Sequence, residues 1–392
     1  MDTTPLILKS RGKAYSLASS SSAERQGRSV TSRRFSEFFA ALLVTALPLG
    51  LGSALAADLP SRPPPSGFSA LYAFGDSLSD AGNVYIATGA AQPGAPYFPG
   101  EFSNGPNWVE DLSTKLGLGP DLPMLAGGND WAFGGATTGS PATNNSSVPS
   151  GLQQIGMFLA LRGGSAPSTA LYTITLGGND VLNIVASGAP ATTAIAAAQT
   201  AALYEASEIN VLANAGAKTF VVPLVADLGK TPGIIAQGSA AQAEASYLSL
   251  VYDATLQTAL SPLAASLNGG LHVLNTFGWL DSAVANPALY GLTDVTDPCY
   301  VGPYTGGGAV CSSPGTYLFW DNVHPTATVD AILAGAAAAM LAPASSPTLN
   351  AAMLADPAPS PTPGAGLLSL WALILTGLMR KAPEVLARLS GV

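Results

Sequence analysis

Residues 68–83 read FSALYAFGDSLSDAGN, and this stretch sets the architecture of the chain. Aromatic and aliphatic side chains dominate residues 68–74, which predicts a buried strand. Ser77 follows at the corner between that strand and an expected helix. Open α/β sheets collect their functional side chains beyond the carboxyl ends of their strands. Ser77 is therefore a candidate functional residue.

Strand-like and helix-like segments alternate along the rest of the chain. Apolar and β-branched runs predict further strands at 170–176, 218–225 and 271–276. Amphipathic or alanine-rich segments predict helices at 108–116, 151–162, 192–215, 239–267 and 326–341. This alternation is typical of a parallel sheet covered by helices on both faces. We therefore predict one α/β domain over residues 68–342.

The N-terminal part of the chain resembles an export signal. Residues 1–34 are polar and basic, an apolar run covers 38–55, and Ala54-Leu55-Ala56 matches a small-x-small cleavage site. We expect an N-terminal extension and export signal over 1–57, and a linker over 58–67. Residues 32–35 (SRRF) partly resemble a twin-arginine signal. The alternative is an ordinary export signal whose start was assigned too far upstream.

The C-terminal part differs in composition from the domain. Residues 343–363 are rich in Pro, Ala and Ser, which predicts a semi-extended linker. Residues 364–379 are apolar or small, and Arg380-Lys381 follows. This order resembles the PEP-CTERM sorting signals of Gram-negative bacteria, and implies a cell-envelope or extracellular location. A membrane anchor and a packed core helix are the alternatives to a sorting signal for residues 364–392. A membrane or the sorting machinery would contact residues 364–381.

Charge excludes one class of partner. Residues 57–379 contain five basic and twenty acidic side chains, a net charge of −15, against −9 for the whole chain. Such a surface repels a phosphate backbone, so we expect no nucleic-acid partner.

The only two cysteines, Cys299 and Cys311, flank eleven residues rich in Gly, Pro and Tyr. In an exported protein this spacing predicts one disulfide that closes a loop, and two free thiols are the alternative. The pair lacks the further ligands of a metal site, so we expect neither a metal nor a redox centre.

Two motifs far apart in the chain point to one chemistry. Gly75-Asp76-Ser77 follows the first strand, and Asp321-Asn322-Val323-His324 precedes the last helix. A serine esterase needs a serine that attacks, a histidine that carries the proton, and an aspartate that orients the histidine. Ser77, His324 and Asp321 supply these groups. Because Asp321 and His324 lie three residues apart, one short segment carries both partners of the relay.

Three further motifs extend the pattern. They are Phe102-Ser103-Asn104-Gly105-Pro106, Gly134-Gly135-Ala136-Thr137-Thr138 and Gly177-Gly178-Asn179-Asp180. With the first two motifs they resemble the GDSL (SGNH) hydrolase family over residues 68–341, in particular its secreted lipolytic branch. The resemblance implies a three-layer α/β/α sandwich with a mainly parallel, flavodoxin-like sheet. Relatives commonly have a basic residue where this chain has Glu101, which leaves the acyl or head-group preference open.

The resemblance also implies an oxyanion hole. Its donors would be the Ser77 N–H, an N–H of the Gly134-Gly135 pair with Gly135 preferred, and the Asn179 side-chain amide. Fixed donors aimed at the developing oxyanion are worth about 2.7–4 kcal/mol each.

Each candidate also has a structural interpretation. Ser77 could cap a helix, Asn179 could be a turn residue, and the glycine pair could serve a positive φ angle. Asp80, Asn83 and Asp180 are expected to tie loops. His272, within a predicted strand, is expected to be structural.

These observations predict a secreted serine esterase or lipase that hydrolyses carboxylic esters through an acyl-serine intermediate, with a small-molecule or lipid ester as substrate and no cofactor. A glycan acyl-esterase or an acyltransferase with the same triad is one alternative. A non-catalytic, surface-anchored binding protein is an alternative from another class.

Overall fold

The computed structural model describes residues 67–143 and 147–342. The predictions for the export signal over 1–57, for most of the linker that follows it, and for residues 343–363 and 364–392 lie outside the described residues. Within the described ranges no helix is both long and apolar enough to cross a bilayer.

The core of the domain is a parallel sheet of four strands in the order β1-β2-β3-β4. The register runs from Leu71 opposite Leu171, through Leu171 opposite Thr219, to Phe220 opposite Leu271. The bounds of the strands are β1 Leu71–Gly75, β2 Leu171–Thr175, β3 Thr219–Pro223 and β4 Leu271–Leu274. Each lies within or one residue beyond a predicted segment.

A fifth position of the sheet is filled by a segment without regular strand structure. Residues 129–133 run parallel to β1 on the edge that does not face β2. The Trp131 N–H donates to the Ala73 carbonyl at 2.7 Å, and the Phe133 N–H donates to the Gly75 carbonyl at 3.0 Å. Counting this segment as the second strand gives the order 2-1-3-4-5, which is the flavodoxin-like order. The predicted fold class is confirmed.

Helices cover both faces of the sheet. Their bounds are α1 Asn83–Ala87, α2 Trp108–Lys115, α3 Gly151–Leu161, α4 Gly178–Ser187, α5 Ala191–Asn214, α6 Pro232–Ile235, α7 Ser239–Leu267, α8 Thr276–Ala285 and α9 Ala327–Leu341. The five predicted helices match α2, α3, α5, α7 and α9 to within one residue at each end. The sequence interpretation expected a helix after Ser77 without giving bounds, and α1 is the first helix there; it missed α4, α6 and α8.

Alternation along β1 separates two cores. Leu71 and Ala73 face α2 and α9, whereas Tyr72 and Phe74 face α3, α4, α5 and α7. Every residue of β1 and β2 is buried, as a sheet with helices on both faces requires. The molecule therefore has three layers, and the carboxyl ends of the strands form one edge.

Local signals fix where two helices begin. The Asn107 side chain accepts N–H groups of Val109 and Glu110, and Glu110 accepts the Asn107 N–H in return. Ser150 and Gln153 form the same reciprocal pair at the start of α3. Each capping box satisfies donors that a helix start leaves without intrahelical partners.

A small substructure precedes α9. It contains two pairs of short strands, β5 Asp294–Pro298 with β8 Tyr317–Phe319, and β6 Tyr300–Val301 with β7 Ala309–Val310. The predicted disulfide is present: Cys299 and Cys311 join at 2.04 Å across the β6–β7 hairpin. The segment 299–311, called the disulfide loop below, precedes β8, and Asp321 and His324 follow β8.

Candidate active site

Ser77 lies immediately beyond the end of β1. Residues 76–79 form a tight turn in which the Ser79 and Asp80 N–H groups donate to the Asp76 carbonyl. The expected strand-to-helix corner is wrong in one respect, because α1 begins only at Asn83 and its N-cap is Gly82. Ser77 therefore does not cap that helix. Its hydroxyl points to a histidine.

The structure joins Ser77, His324 and Asp321 in one line of hydrogen bonds. The distance from His324 Nε2 to Ser77 Oγ is 2.7 Å, and that from His324 Nδ1 to Asp321 Oδ2 is 2.8 Å. The side chain of Asp321 also accepts the Val323 and His324 N–H groups at 2.9 and 2.8 Å through Oδ1. The short Asp-x-x-His segment thus closes on itself through three hydrogen bonds.

Asp321 remains ionised although it is buried. Only 4% of Asp321 and 5% of His324 are exposed. Burial alone raises the pKa of a carboxyl group, but His324 and the hydrogen bonds from His324 and Val323 outweigh it and hold the pKa of Asp321 below its ordinary value. An ionised Asp321 accepts the Nδ1–H of neutral His324, so the Nε2 lone pair faces the Ser77 hydroxyl.

The structure distinguishes between the two glycines proposed as an oxyanion donor. The Gly134 N–H donates to Asp80 Oδ2 at 2.8 Å, so it is already engaged. This bond favours the preferred candidate, Gly135, which is exposed and has a φ of +83°. Gly134 has a packing role, because a Cβ there would lie 2.4 Å from the ring of Phe102.

Asn179 lies in the first turn of α4, directly beyond the end of β2. Its Nδ2 donates to the Ala136 carbonyl at 2.9 Å and, more weakly, to Asp76 Oδ2 at 3.3 Å. Asp76 Oδ1 accepts the Leu78 N–H at 3.0 Å. The amide of Asn179 therefore sits between the segment carrying Gly135 and the turn carrying Ser77.

Asp76 is a titratable group that the sequence interpretation did not assign. Burial raises the pKa of Asp76 to about 7, although the Leu78 N–H and His324 oppose the shift. Its protonation state consequently changes near neutral pH, beside both Ser77 and Asn179.

The residues expected to tie loops do so. Asp80 accepts N–H groups from Gly82, Val84 and Gly134, and Asp180 accepts the N–H and the hydroxyl of Thr138. The Asn83 amide donates to two carbonyls, those of Asp130 and Ala132. These bonds hold the Gly135 segment against the Ser77 turn.

Glu101 faces the interior instead of a substrate. It is buried, it accepts the Asn107 amide at 2.8 Å, and burial together with the neighbouring Glu110 raises its pKa well above the ordinary value. Glu101 therefore takes part in internal hydrogen bonding.

The Phe102–Pro106 motif ties the histidine segment to α2. The Ser103 hydroxyl donates to the Pro325 carbonyl at 2.9 Å, and Asn104 accepts the Ala327 N–H at 2.8 Å. The ring of Phe102 lies 5.4 Å from that of His324. The motif's role in holding His324 could not be deduced from its residue types.

Two tyrosines complete the surroundings of the relay, and sequence reasoning missed both. Tyr304 in the disulfide loop lies 5.9 Å from His324, ring centre to ring centre. The Tyr97 hydroxyl donates to Asp321 Oδ2 at 2.7 Å. No motif or periodicity marks either residue.

Other candidates lie apart from this site. His272 is in β4, three strands away from β1, and burial lowers its pKa. Among residues 67–143 and 147–342, the structure contains no group of three or more His, Cys, Asp or Glu side chains that could hold a metal ion.

Comparisons with known proteins agree with the motifs. The family model described as GDSL-like Lipase/Acylhydrolase matches residues 71–337. The chain is 31% identical over 333 residues to esterase EstA of Pseudomonas aeruginosa, covering 72% of this chain and 49% of that protein. It is 28% identical over 311 residues to an acetylesterase of Thermothelomyces thermophilus, covering 76% and 96%. The chain thus spans about half the length of EstA and of a 31% identical Pseudomonas putida relative.

Among solved structures, phospholipase A1 of Streptomyces albidoflavus is 17% identical with a TM-score of 0.33, over 70% of this chain and 98% of that one. Since one family model covers the domain from β1 into α9, the chain belongs to the GDSL-like Lipase/Acylhydrolase family.

Proposed function

We propose that this chain hydrolyses carboxylic esters through an acyl-serine intermediate, with Ser77 as nucleophile, His324 as base and Asp321 as its orienting carboxylate. The class of enzyme, a carboxylic ester hydrolase, is that of its family. One observation carries the proposal: the hydrogen bonds from Ser77 to His324 and from His324 to Asp321, at 2.7 and 2.8 Å.

The reaction follows from these contacts. Ser77 Oγ attacks the carbonyl carbon while its proton passes to His324 Nε2, and the carbonyl oxygen becomes an oxyanion. The ester C–O bond then breaks, and His324 gives that proton to the departing alcohol. A water molecule, deprotonated by His324, attacks the acyl-serine, and the carboxylic acid leaves with Ser77 restored. Asp321 stays ionised throughout and stabilises the imidazolium.

The Ser77 N–H, the Gly135 N–H and the Asn179 amide are the proposed oxyanion donors. All three follow strands of the sheet or the segment parallel to it, so they share the edge at which Ser77 lies. The weak Asn179 bond to Asp76 at 3.3 Å supports this role, because a full oxyanion is a stronger acceptor for the same N–H.

For the substrate we propose acyl esters with an uncharged alcohol part. The five basic side chains of residues 57–379 give little attraction for anionic lipid surfaces. The rings of Phe102 and Tyr304 beside His324 support an apolar environment for the acyl group.

Hydrolysis of p-nitrophenyl esters from acetate to palmitate by the full chain tests the proposal. Ser77→Ala should lose activity by about 10⁴-fold or more, since the nucleophile is absent, and circular dichroism should show an unchanged fold. Ser79→Ala is the matched control, because this nearby serine contacts the Trp108 indole instead of His324. Full activity in folded Ser77→Ala would refute the nucleophile. Inactivity of the parent on every ester would favour a non-catalytic binding protein.

We also propose that the chain is exported and acts in the cell envelope or outside a Gram-negative cell. The apolar run over 38–55 that closes on Ala54-Leu55-Ala56 supports export, and so does the disulfide, which persists in oxidising compartments. N-terminal sequencing of protein recovered from envelope and medium tests the proposal. A start near Asp58 is expected, whereas a chain that keeps Met1 and stays in the cytoplasm contradicts it.

A further inference from the structure

The Asp321 carboxylate has a second side-chain partner besides His324. Asp321 Oδ2 accepts the Tyr97 hydroxyl at 2.7 Å and the Nδ1–H of His324 at 2.8 Å. Two backbone N–H groups occupy Oδ1. Tyr97 comes from a different part of the chain, 224 residues earlier, and is only 4% exposed. The contact is therefore a buried, charge-assisted hydrogen bond, which is a strong type.

The ring of Tyr97 is held on several sides. The centres of the Tyr300, Tyr304 and Trp320 rings lie 5.1, 5.8 and 5.9 Å from it. Its backbone is also anchored, because the Tyr97 N–H donates to the Gly94 carbonyl at 3.1 Å, and Gly94 in turn donates to the Tyr304 carbonyl. Such packing fixes the position of the Tyr97 hydroxyl, and hence the position of Asp321 Oδ2, which accepts its hydrogen bond.

The protonation state of Tyr97 makes it a permanent donor. Burial, with the adjacent Asp321 carboxylate, raises the pKa of the Tyr97 hydroxyl far above its ordinary value. The other titratable groups near His324 among the described residues are Tyr304 and Asp76. Burial and Asp321 also raise the pKa of Tyr304, whereas Asp76, with a pKa of about 7, titrates near neutrality.

On the basis of the proposed function, we propose that Tyr97 is a positioning residue of the relay, whose hydroxyl fixes Asp321 Oδ2 and sets how strongly Asp321 holds a proton on His324. The bond spreads the negative charge of Asp321 over a second donor. Without it, more of that charge acts on His324, so the imidazolium is more stable and the neutral base appears only at higher pH.

The first experiment follows the His324 ring by NMR as a function of pH in the full chain, with the parent protein, Tyr97→Phe and Tyr300→Phe. The chain has only two histidines, so His272→Gln assigns the signals. Tyr300→Phe is the matched control, because Tyr300 belongs to the same ring cluster but its hydroxyl donates to the Pro303 carbonyl.

In Tyr97→Phe the midpoint of the His324 titration should move upward by about half to one pH unit. The acid limb of kcat/KM should move with it, and kcat should fall about three- to tenfold below the midpoint while KM changes little. Tyr300→Phe should leave the midpoint unchanged. An unchanged midpoint in folded Tyr97→Phe, or an equal shift in Tyr300→Phe, overturns the proposal, because a purely structural tyrosine would affect only folding.

A second variant covers the case in which Tyr97→Phe fails to fold. 3,5-Difluorotyrosine at position 97 keeps the ring and makes the hydroxyl a stronger donor, so the midpoint should move to lower pH. No movement, or movement to higher pH, again overturns the proposal. The titration needs no turnover, so it is independent of the Ser77→Ala result. An active Ser77→Ala variant would reject only the proposed function. An unchanged midpoint of the His324 titration in the Tyr97 variants would reject only the role of Tyr97.

Discussion

At the scale of single residues, Asn179 offers the sharpest test of the oxyanion hole. Its Nδ2 already donates to the Ala136 carbonyl at 2.9 Å, and its bond to Asp76 Oδ2 is only 3.3 Å. In Asn179→Ala the oxyanion loses one donor, so kcat should fall by about 10²–10³. KM should change little, because the full negative charge exists only in the transition state and the tetrahedral intermediate. Steady-state kinetics on a p-nitrophenyl ester measures both.

The same helix offers a matched control for Asn179. Asn183 lies one turn further along α4, and its amide donates to the Thr143 carbonyl, away from Ser77. Asn183→Ala should therefore leave kcat within about twofold, as expected of changes outside the reacting centre. If Asn179→Ala raises KM and leaves kcat unchanged, this amide acts in substrate binding. Equal losses in both variants would assign the effect to the helix.

Residue-level prediction succeeded where a contact is local and failed where it is not. The pairing of Asp321 with His324 followed from their separation of three residues, because a short turn brings them together. The motif favoured Gly135 over Gly134, but the bond from Gly134 to the distant Asp80, which engages the other candidate, could not be deduced from the sequence. Tyr97 was missed for the same reason.

At the scale of elements, the disulfide loop connects folding to the site. The bond between Cys299 and Cys311 closes the β6–β7 hairpin, which carries Tyr300 and Tyr304 against the ring of Tyr97. In the double variant Cys299→Ser with Cys311→Ser, the free energy of unfolding should fall by about 2–3 kcal/mol for a loop of this length. Urea denaturation with linear extrapolation measures it.

Chemical reduction provides the control for that variant. The parent treated with dithiothreitol should fall to the stability of the double variant, and the double variant itself should not respond to the reagent. The fractional loss of activity at room temperature should be smaller than the fractional loss of unfolding free energy, because Asp321 and His324 keep their own hydrogen bonds. Equal stability of the parent and the double variant would show that ring packing alone holds the loop.

Element prediction succeeded for long segments with clear period and end signals. α2 and α3 begin at capping boxes, and α7 extends over residues 239–267 as its composition indicates. α4 was missed because it starts directly from a glycine with a φ of +90° at Gly177 and has no side-chain cap. The fifth sheet position was missed because residues 129–133 pair by isolated hydrogen bonds instead of forming a regular strand.

At the scale of the whole molecule, much of the acidity lies inside. Among the described residues, ten carboxyl groups are at most 5% exposed and have raised pKa values, chiefly through burial: Asp76, Asp80, Glu101, Asp121, Asp130, Asp180, Glu205, Glu208, Asp253 and Asp330. Such groups favour the protonated form in the fold, so the formal charge of −9 overstates the charge of the folded chain near neutral pH. Composition alone could not separate these acids from those at the surface.

This internal acidity predicts that the fold becomes less stable as pH rises. Glu205 illustrates the sign: burial raises its pKa to about 8, although the Tyr252 hydroxyl donates to it at 2.6 Å. The unfolded chain has an ordinary Glu pKa near 4.3. Between these values the folded state binds one more proton than the unfolded state, so stability is full below about pH 4 and declines until about pH 8. The thermal midpoint should fall by several degrees between about pH 5 and pH 9, at about 2–4 °C per kcal/mol.

Glu205→Gln isolates that contribution, because glutamine can still accept the Tyr252 hydroxyl but cannot ionise. Differential scanning calorimetry of the parent and the variant should give midpoints that lie close together near pH 4 and separate progressively toward pH 9, with the variant higher. Glu244→Gln, which removes an acid from a less buried position on α7, should follow the parent curve. A parent that is more stable at pH 9 than at pH 5, or a Glu205→Gln curve parallel to it, contradicts the prediction. His324 can act as the base only when its ring is neutral, so activity should rise with pH. Activity and stability should therefore have opposite pH dependences in this protein.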